Sequence, residues 1–493
     1  MADFEALLAS IGEVGYVQLV THSVTQIEGL PGAVLGEKVI FESGQEGEIV
    51  SLGKLLVEVL VLSTSSVRVG TRVARTGHRF AISISKHLLG KTANSLGKII
   101  AGPSTPIPAD AELRVVDVHA PGIASRAKIN KPLETGIIIV DMMVPVGKGQ
   151  RELVLGDRKT GKSRLLLEAI VAQSRLGSIC VYAAIGKKKQ EIRRVEDYFL
   201  KEGIRNNVII VASSSHDSAG EIYLTPYTAM TIAEYFRDQK RDVLLVLDDL
   251  STHAKFYREV SLLGRKFPGR DSYPGDIFYV HSRLLERSGN FQIDGQEVAL
   301  TCLPVVETTQ GDLTGYIQTN VMSMTDGHIY FDSDLYFAGR RPAVNTFVSV
   351  TRVGHQTQSK LRREMYQATL DLMTNYLRTQ DFVRFGAELG DNSRQVLAMG
   401  EKVLTLFNQP MNISIPTNVQ TILWGLLWAG LWDGHKLSGL VAAYQSDSVL
   451  RNMINSLVIN SDTVATLVVN VQSKSDQLLP IINPPEPAVA VPK

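Results

Sequence analysis

From about Gly15 to Thr76 the chain alternates apolar and polar positions in short runs, YVQLVTHSV, KVIF, GEIVSL and LLVEVLVL, separated by glycine-containing turns. That pattern predicts a small antiparallel barrel or sandwich. Ala101–Asp110 then carries three prolines and reads as a loop inside the next domain, which puts the boundary near residue 80. Between about 137 and 350 the pattern changes to continuous apolar runs, GIIIVDM, RELVLG, SICVYAAIG, NVIIVAS, VLLVLDD, EVALTCLPVV and FVSVTRVG, alternating with longer amphipathic stretches. These predict strands joined by helical crossovers in a mostly parallel sheet covered on both faces. After Ser359 the strand pattern fades, and KLRREMYQATLDLMTNYLRTQ and RQVLAMGEKVLTLFNQ place apolar residues at helical spacing, the mark of a helical bundle. The last 16 residues hold five prolines and read as a tail unable to continue a helix. The expected multi-domain α/β organisation is therefore a barrel over 1–80, a mostly parallel domain over 81–358, a helical bundle over 359–475 and a tail over 476–493, without internal repeats.

Composition narrows the possibilities. The 493 residues are 44% hydrophobic and 20% charged, which suits a folded chain with sizeable cores and not a disordered one. With 51 basic and 50 acidic side chains the net charge is +1, so no overall field holds a polyanion and nucleic acid would need a local patch. Cys180 and Cys302 both lie in apolar runs and read as buried thiols in a reducing compartment. The first residues, MADFEALLASIGEVG, have no basic leader segment, and the longest strongly apolar stretch, Thr421 to Trp432, has about 12 residues where a membrane span needs roughly 20. A cytoplasmic chain that meets a membrane only through partners is expected.

The sharpest chemical signal is Gly156-Asp157-Arg158-Lys159-Thr160-Gly161-Lys162-Ser163, a full GxxxxGK[ST] preceded by the strand-like ELVL and followed by the helix-like RLLLEAIVAQ. In such a loop backbone N–H groups curl around phosphate oxygens, the helix N-terminus adds its dipole, Lys162 reaches the terminal phosphates and Ser163 offers a hydroxyl to Mg²⁺. About 85 residues later, Val243–Asp249 is an apolar run ending in two carboxylates, and Asp248 is the expected metal partner.

With these landmarks, GDRKTGKS at 156, DDLSTHAKFYREVSLL at 248, PGRDSYPGDIFYVHSRLLER at 268, PVVETTQGDLTGYIQTN at 304, TDGHIYFDSDLYFAGRRPAVN at 325 and SVTRVG at 349 closely resemble the alpha subunits of F-type ATP synthases. HAPGIASR at 119, FGAELG and LFNQ extend the likeness over most of the chain. The resemblance implies a barrel, a RecA-like P-loop domain and a helical domain, binding ATP or ADP with Mg²⁺. It implies three alpha chains alternating with three catalytic beta subunits around a central gamma shaft, with a peripheral delta stalk. The complex would be a rotary, proton- or sodium-driven machine on the cytoplasmic face of a membrane, bacterial plasma membrane being the expected setting.

Hydrolysis needs a group that orients the attacking water, and catalytic relatives carry a carboxylate after the strand that follows the P-loop helix. Here that place reads Ile185-Gly186-Lys187, so a non-catalytic chain is expected. The resemblance supplies glutamine at both Lys159 and Lys187. Either Lys187 is a solvated surface lysine, or both lysines add charge beside the phosphates and lower the dependence on Mg²⁺. By the same resemblance Arg352 is an arginine finger offered to a neighbour's γ-phosphate, with Ser349, Ser323 and Glu307 near that interface. The base pocket maps onto Tyr336, Arg341, Pro342 and Gln409, where Gln409 alone would equally suit a core or loop role. Met411 stands where a second glutamine is usual, which leaves adenine against guanine preference open.

Trp424, Trp428 and Trp432 recur at helical spacing, as core packing or as a contact with a neighbouring subunit. His253, His281 and His328 show no metal-ligand spacing and read as structural. An independently catalytic export or secretion ATPase would need an acid at 187. A termination helicase would need aromatics interleaved with basic residues in the barrel, where residues 15–76 hold only Tyr16 and Phe41. About 14 residues precede the first predicted strand, fewer than the stalk-docking arm the resemblance implies.

Overall fold

The computed structural model describes residues 2–103, 106–384, 390–410, 412–434 and 437–482. Met411, most of FGAELG and the final residues of the proline-rich tail lie outside them. Contacts divide the chain into two compact units, 1–129 with 148–155 and 173–326, and 130–147 with 156–172 and 327–493.

In the first unit, helix Ala2–Ile11 precedes six strands, β1 Val14–Thr21, β2 Val24–Glu28, β3 Glu37–Phe41, β4 Glu46–Leu52, β5 Leu56–Val61 and β6 Arg72–Arg79, closed into an antiparallel barrel in the order β1-β2-β5-β4-β3-β6. Closure leaves no exposed edge, and the inward residues of the alternating pattern, Val17, Ile27, Val39, Phe41, Ile49, Val59 and Val73, form its core. The central sheet of this unit runs in the order 152–156, 296–307, 243–248, 179–187, 208–214, 92–93, 99–101. The four innermost pairings are parallel, and strand Gly289–Ile293 adds an antiparallel edge on Gln296–Glu307. Strands 179–187, 208–214 and 243–248 are buried almost throughout, which is why their sequences lack a polar alternate position. Cys180 in strand 179–187 and Cys302 in strand 296–307 are buried thiols outside any disulfide, each pushed up by burial.

The second unit is mainly helical, with helices Lys360–Arg384, Asp391–Phe407, Thr417–Trp428, Ser438–Ser446, Ser448–Ile459, Val464–Ser473 and Ser475–Ile482. Two apolar runs depart from the strands expected of them. GIIIVDM forms helix Ile138–Met143 instead, because the Asp141 carboxylate accepts from Thr135 N, 2.8 Å, and Gly136 N, 3.0 Å, satisfying amides ahead of a fully buried turn. Periodicity cannot separate a short buried helix from a buried strand. FVSVTRVG keeps only a two-residue strand, Val350–Thr351. The first part of the expected tail is helical. Helix Ser475–Ile482 carries Pro480 within it and buries Leu478 and Ile482, and apolar burial outweighs one lost hydrogen bond near a helix end.

Trp424 is fully buried, stacks on Trp428 at 4.5 Å and donates its indole N–H to Thr369 Oγ1 at 2.9 Å. The helix ends at Trp428, so Trp432, although buried, does not share its face. Arg362, buried, donates to Asp141 O at 2.8 Å and to Thr421 Oγ1 at 3.3 Å, while Gln420 Nε2 donates to the Asp141 carboxylate at 2.7 Å.

His253 and His281 of the first unit are buried with ring nitrogens 3.0 Å apart, and His253 also meets Tyr223 O at 3.1 Å. Burial lowers both, His253 to about 4, so the pair is held uncharged. An ordinary histidine pKa is about 6.5, so between pH 4 and 6.5 the unfolded chain binds more protons than the folded one. Stability is complete above that window and falls through it as the pH drops, by at most about 3 kcal/mol for His253. The expected outcome is a thermal midpoint that is flat from pH 8 to 7 and declines from pH 6.5 to 5, with a shallower decline in His253→Asn.

Candidate nucleotide site

In the second unit the chain leaves a buried strand at Gly156 and turns through Asp157–Gly161 into helix Lys162–Arg175. Gly156 has φ +149°, and a Cβ there would lie 2.4 Å from the Phe331 carbonyl oxygen, so only glycine fits. Lys159 and Gly161 also take positive φ, which curls the loop. Thr160 Oγ1 donates to Asp157 O at 2.8 Å, and the Asp157 carboxylate accepts from Ser333 Oγ at 2.8 Å. The Lys162 ammonium donates to the carbonyls of Gly156, 2.7 Å, and Asp157, 2.5 Å, and so lies across the loop. Arg158, Lys159 and Ser163 are exposed. An ammonium held over a helix N-terminus is a built anion site.

The predicted base-pocket residues belong to the same unit. Arg341 stacks its guanidinium on the Tyr336 ring, 3.7 Å from the centroid, donates to Tyr336 O and Arg340 O at 2.7 Å, and precedes Pro342 through a cis bond. Its backbone N–H donates to Asn408 Oδ1 at 2.9 Å. Gln409 is hydrogen-bonded inside the chain. It is buried, its Nε2 donates to Gly136 O at 2.9 Å and to Ile413 O at 2.5 Å, and its Oε1 accepts from Ile138 N at 3.0 Å. Both amide hydrogens are engaged inside the chain, so the core reading of Gln409 describes it.

In the first unit, Asp248 ends strand Val243–Asp248 and Asp249 begins helix Leu250–Leu263. Lys187 is not a solvated surface lysine. Its ammonium donates to Asp248 Oδ1 at 2.7 Å and Asp249 Oδ2 at 3.0 Å, with a fifth of the side chain exposed. The neighbouring strand supplies Tyr182, whose hydroxyl donates to Asp248 Oδ2 at 2.6 Å, and Asp249 Oδ1 accepts from Thr252 N at 2.6 Å. Burial alone would lower the Lys187 pKa, but the two carboxylates outweigh it and raise it. Asp249 is raised by burial and, more strongly in sum, lowered by Lys187 and its hydrogen bonds. All four carboxylate oxygens thus accept a hydrogen bond and the pair already holds a cation, a donor set that does not fit a divalent metal. Tyr182 carried no motif; only the strand register, Tyr182 opposite Val246 and Ala184 opposite Asp248, reveals it.

Arg352 follows strand Val350–Thr351, is exposed and has no hydrogen bond or ion pair among the described residues. Ser349 is occupied, with Oγ donating to Asn345 O at 2.6 Å and accepting from Tyr330 N at 2.9 Å, which holds the strand end that carries Arg352. In the first unit, Ser323 Oγ donates to Asn320 O at 2.6 Å, and Glu307 N donates to Ser251 Oγ at 2.9 Å at the end of strand Gln296–Glu307. Because Gln409 clamps three buried backbone groups, Gln409→Ala is expected to lower stability by about 3 kcal/mol in urea denaturation even without nucleotide. An unchanged urea midpoint with weakened nucleotide binding would instead return Gln409 to base recognition.

Residues 136–351 match the family described as ATP synthase alpha/beta family, nucleotide-binding domain. The chain is 42% identical over 399 residues to the protein named ATP synthase subunit alpha of Caldanaerobacter subterraneus subsp. tengcongensis, covering 81% of this chain and 78% of that relative. It is 39% identical over 415 residues to the ATP synthase subunit alpha of a Sulfurovum species, covering 84% and 82%. With a closed barrel, a phosphate loop on a buried strand and a helical C-terminal part in one chain, and with identity of this extent, the chain belongs to the ATP synthase alpha-subunit family.

Proposed function

We propose that this chain is the non-catalytic, nucleotide-binding alpha subunit of a proton- or sodium-driven rotary F-type ATP synthase. It holds ATP or ADP in its own pocket and lends Arg352 to the site of a neighbouring catalytic beta subunit. The observation that carries this is at position 187. Where a catalytic chain needs a carboxylate, this one has a lysine bonded to Asp248 and Asp249. A charged ammonium accepts no proton, and the carboxylates beside it are engaged, so no base is available to activate water. The same observation weighs against an independently catalytic export ATPase.

Nucleotide binding draws support from the phosphate loop, with Lys162 over its carbonyls, and from the Tyr336–Arg341–Pro342 platform against which a base can stack. The exposed Arg352 suits a group whose partner is on another chain, and a finger supplied in trans contributes roughly 10³–10⁵ in rate. In this reading the partners are beta subunits in an alternating ring, the gamma shaft and the delta stalk. Among the described residues no helix is long and apolar enough to cross a membrane, consistent with a peripheral place in a membrane complex.

The isolated chain is expected to bind ATP yet turn it over negligibly, and robust hydrolysis without beta subunit would refute the non-catalytic role. In assembled rings Arg352→Ala should leave this chain's nucleotide affinity unchanged and lower multisite hydrolysis at least about a hundredfold. Lys162→Ala should do the reverse and empty this chain's pocket. Native hydrolysis rates in well-assembled Arg352→Ala rings would remove the in-trans role.

A further inference from the structure

The acidic pair after the central strand is closed by a residue of the chain itself. Strands 179–187 and 243–248 run parallel, and their last pairing sets Ala184 beside Asp248. Past that point the pairing with strand 208–214 shifts register between Ala184 and Lys187, and Gly186 takes φ +60°. Gly186 N donates to Ser213 Oγ at 3.1 Å, and Lys187 O accepts from Ser215 N at 3.0 Å, which fixes the backbone on both sides of the turn. A Cβ on Gly186 would come within 2.9 Å of Thr252 Cγ2, so the turn is packed as well as bent. The bulge delivers Lys187 to the strand end where Asp248 and Asp249 point, and the side chain bridges them.

We propose that the Lys187 ammonium is a tethered cation that fills the Asp248–Asp249 pair in place of a divalent ion. Two buried carboxylates side by side need a counter-charge. A lysine covalently held at 2.7 and 3.0 Å supplies it without loss of a free ion's translational entropy. With Tyr182 and Thr252 N on the two remaining oxygens, a hydrated Mg²⁺ would have to displace a hydrogen-bonded ammonium to gain a carboxylate ligand. The lysines at 159 and 187 therefore do different things, since Lys159 is exposed on the phosphate loop and Lys187 is withdrawn onto the acids.

Calorimetric titration of the full chain with Mn²⁺ tests this. Lys187→Gln should bind Mn²⁺ at least about tenfold more tightly than the native chain, and adding Asp248→Asn should abolish that gain. Equal Mn²⁺ affinity in native and Lys187→Gln chains overturns the proposal. A native chain that binds Mn²⁺ and loses about tenfold in that affinity on Asp248→Asn also overturns it, so the result does not hinge on the Lys187 variant folding.

Discussion

Two carboxylates buried next to one another at the end of a parallel strand are the constraint around which the first unit is organised. Two adjacent carboxylates at that depth call for a counter-charge and hydrogen-bond donors. The fold answers from two elements. The neighbouring strand contributes Tyr182 from its middle and Lys187 from its bulged end, and the helix that follows contributes the amide of Thr252. Strand register, bulge position and helix start must therefore agree to within a hydrogen-bond length, and the apolar, fully buried strands supply the rigidity that makes such agreement possible.

The second unit spends its polar side chains in a similar way. Asp141, Arg362 and Gln420 form a buried network that ties the 135–143 segment to the C-terminal helices, and Gln409 joins the same segment from another helix end. Burial lowers the Arg362 pKa and raises that of Asp141, so each depends on the hydrogen bonds around it. The same unit carries the phosphate loop with the Lys162 ammonium across it and the Arg341 guanidinium stacked on Tyr336. Membership in the ATP synthase alpha family and the lysine at 187 fit together, because a subunit that binds nucleotide without turning it over needs the cradle and not the base.

Much was legible in the chain because the relevant signals are local. Barrel strands announce themselves by alternation and turns, crossover strands by unbroken apolar runs, and the phosphate loop by glycines whose backbone no other residue can adopt. The same locality explains the failures. GIIIVDM became a helix because Asp141 satisfied amides six and five residues before it, and Pro480 sits inside a helix because Leu478 and Ile482 had a core to enter. Trp432 left its predicted face because the helix stopped at Trp428.

The sequence by itself determined the fold class, the phosphate loop and the missing acid at 187, since each depends on residue type at a position or on spacing along one segment. Tertiary structure alone decided what Lys187 and Gln409 do. Lys187 lies 61 residues from Asp248 and Gln409 lies 271 from Ile138, and no period or motif links them. A long flexible ammonium or amide takes whichever buried partner the packing brings within about 3 Å, and that choice exists only once the strands and helices are assembled.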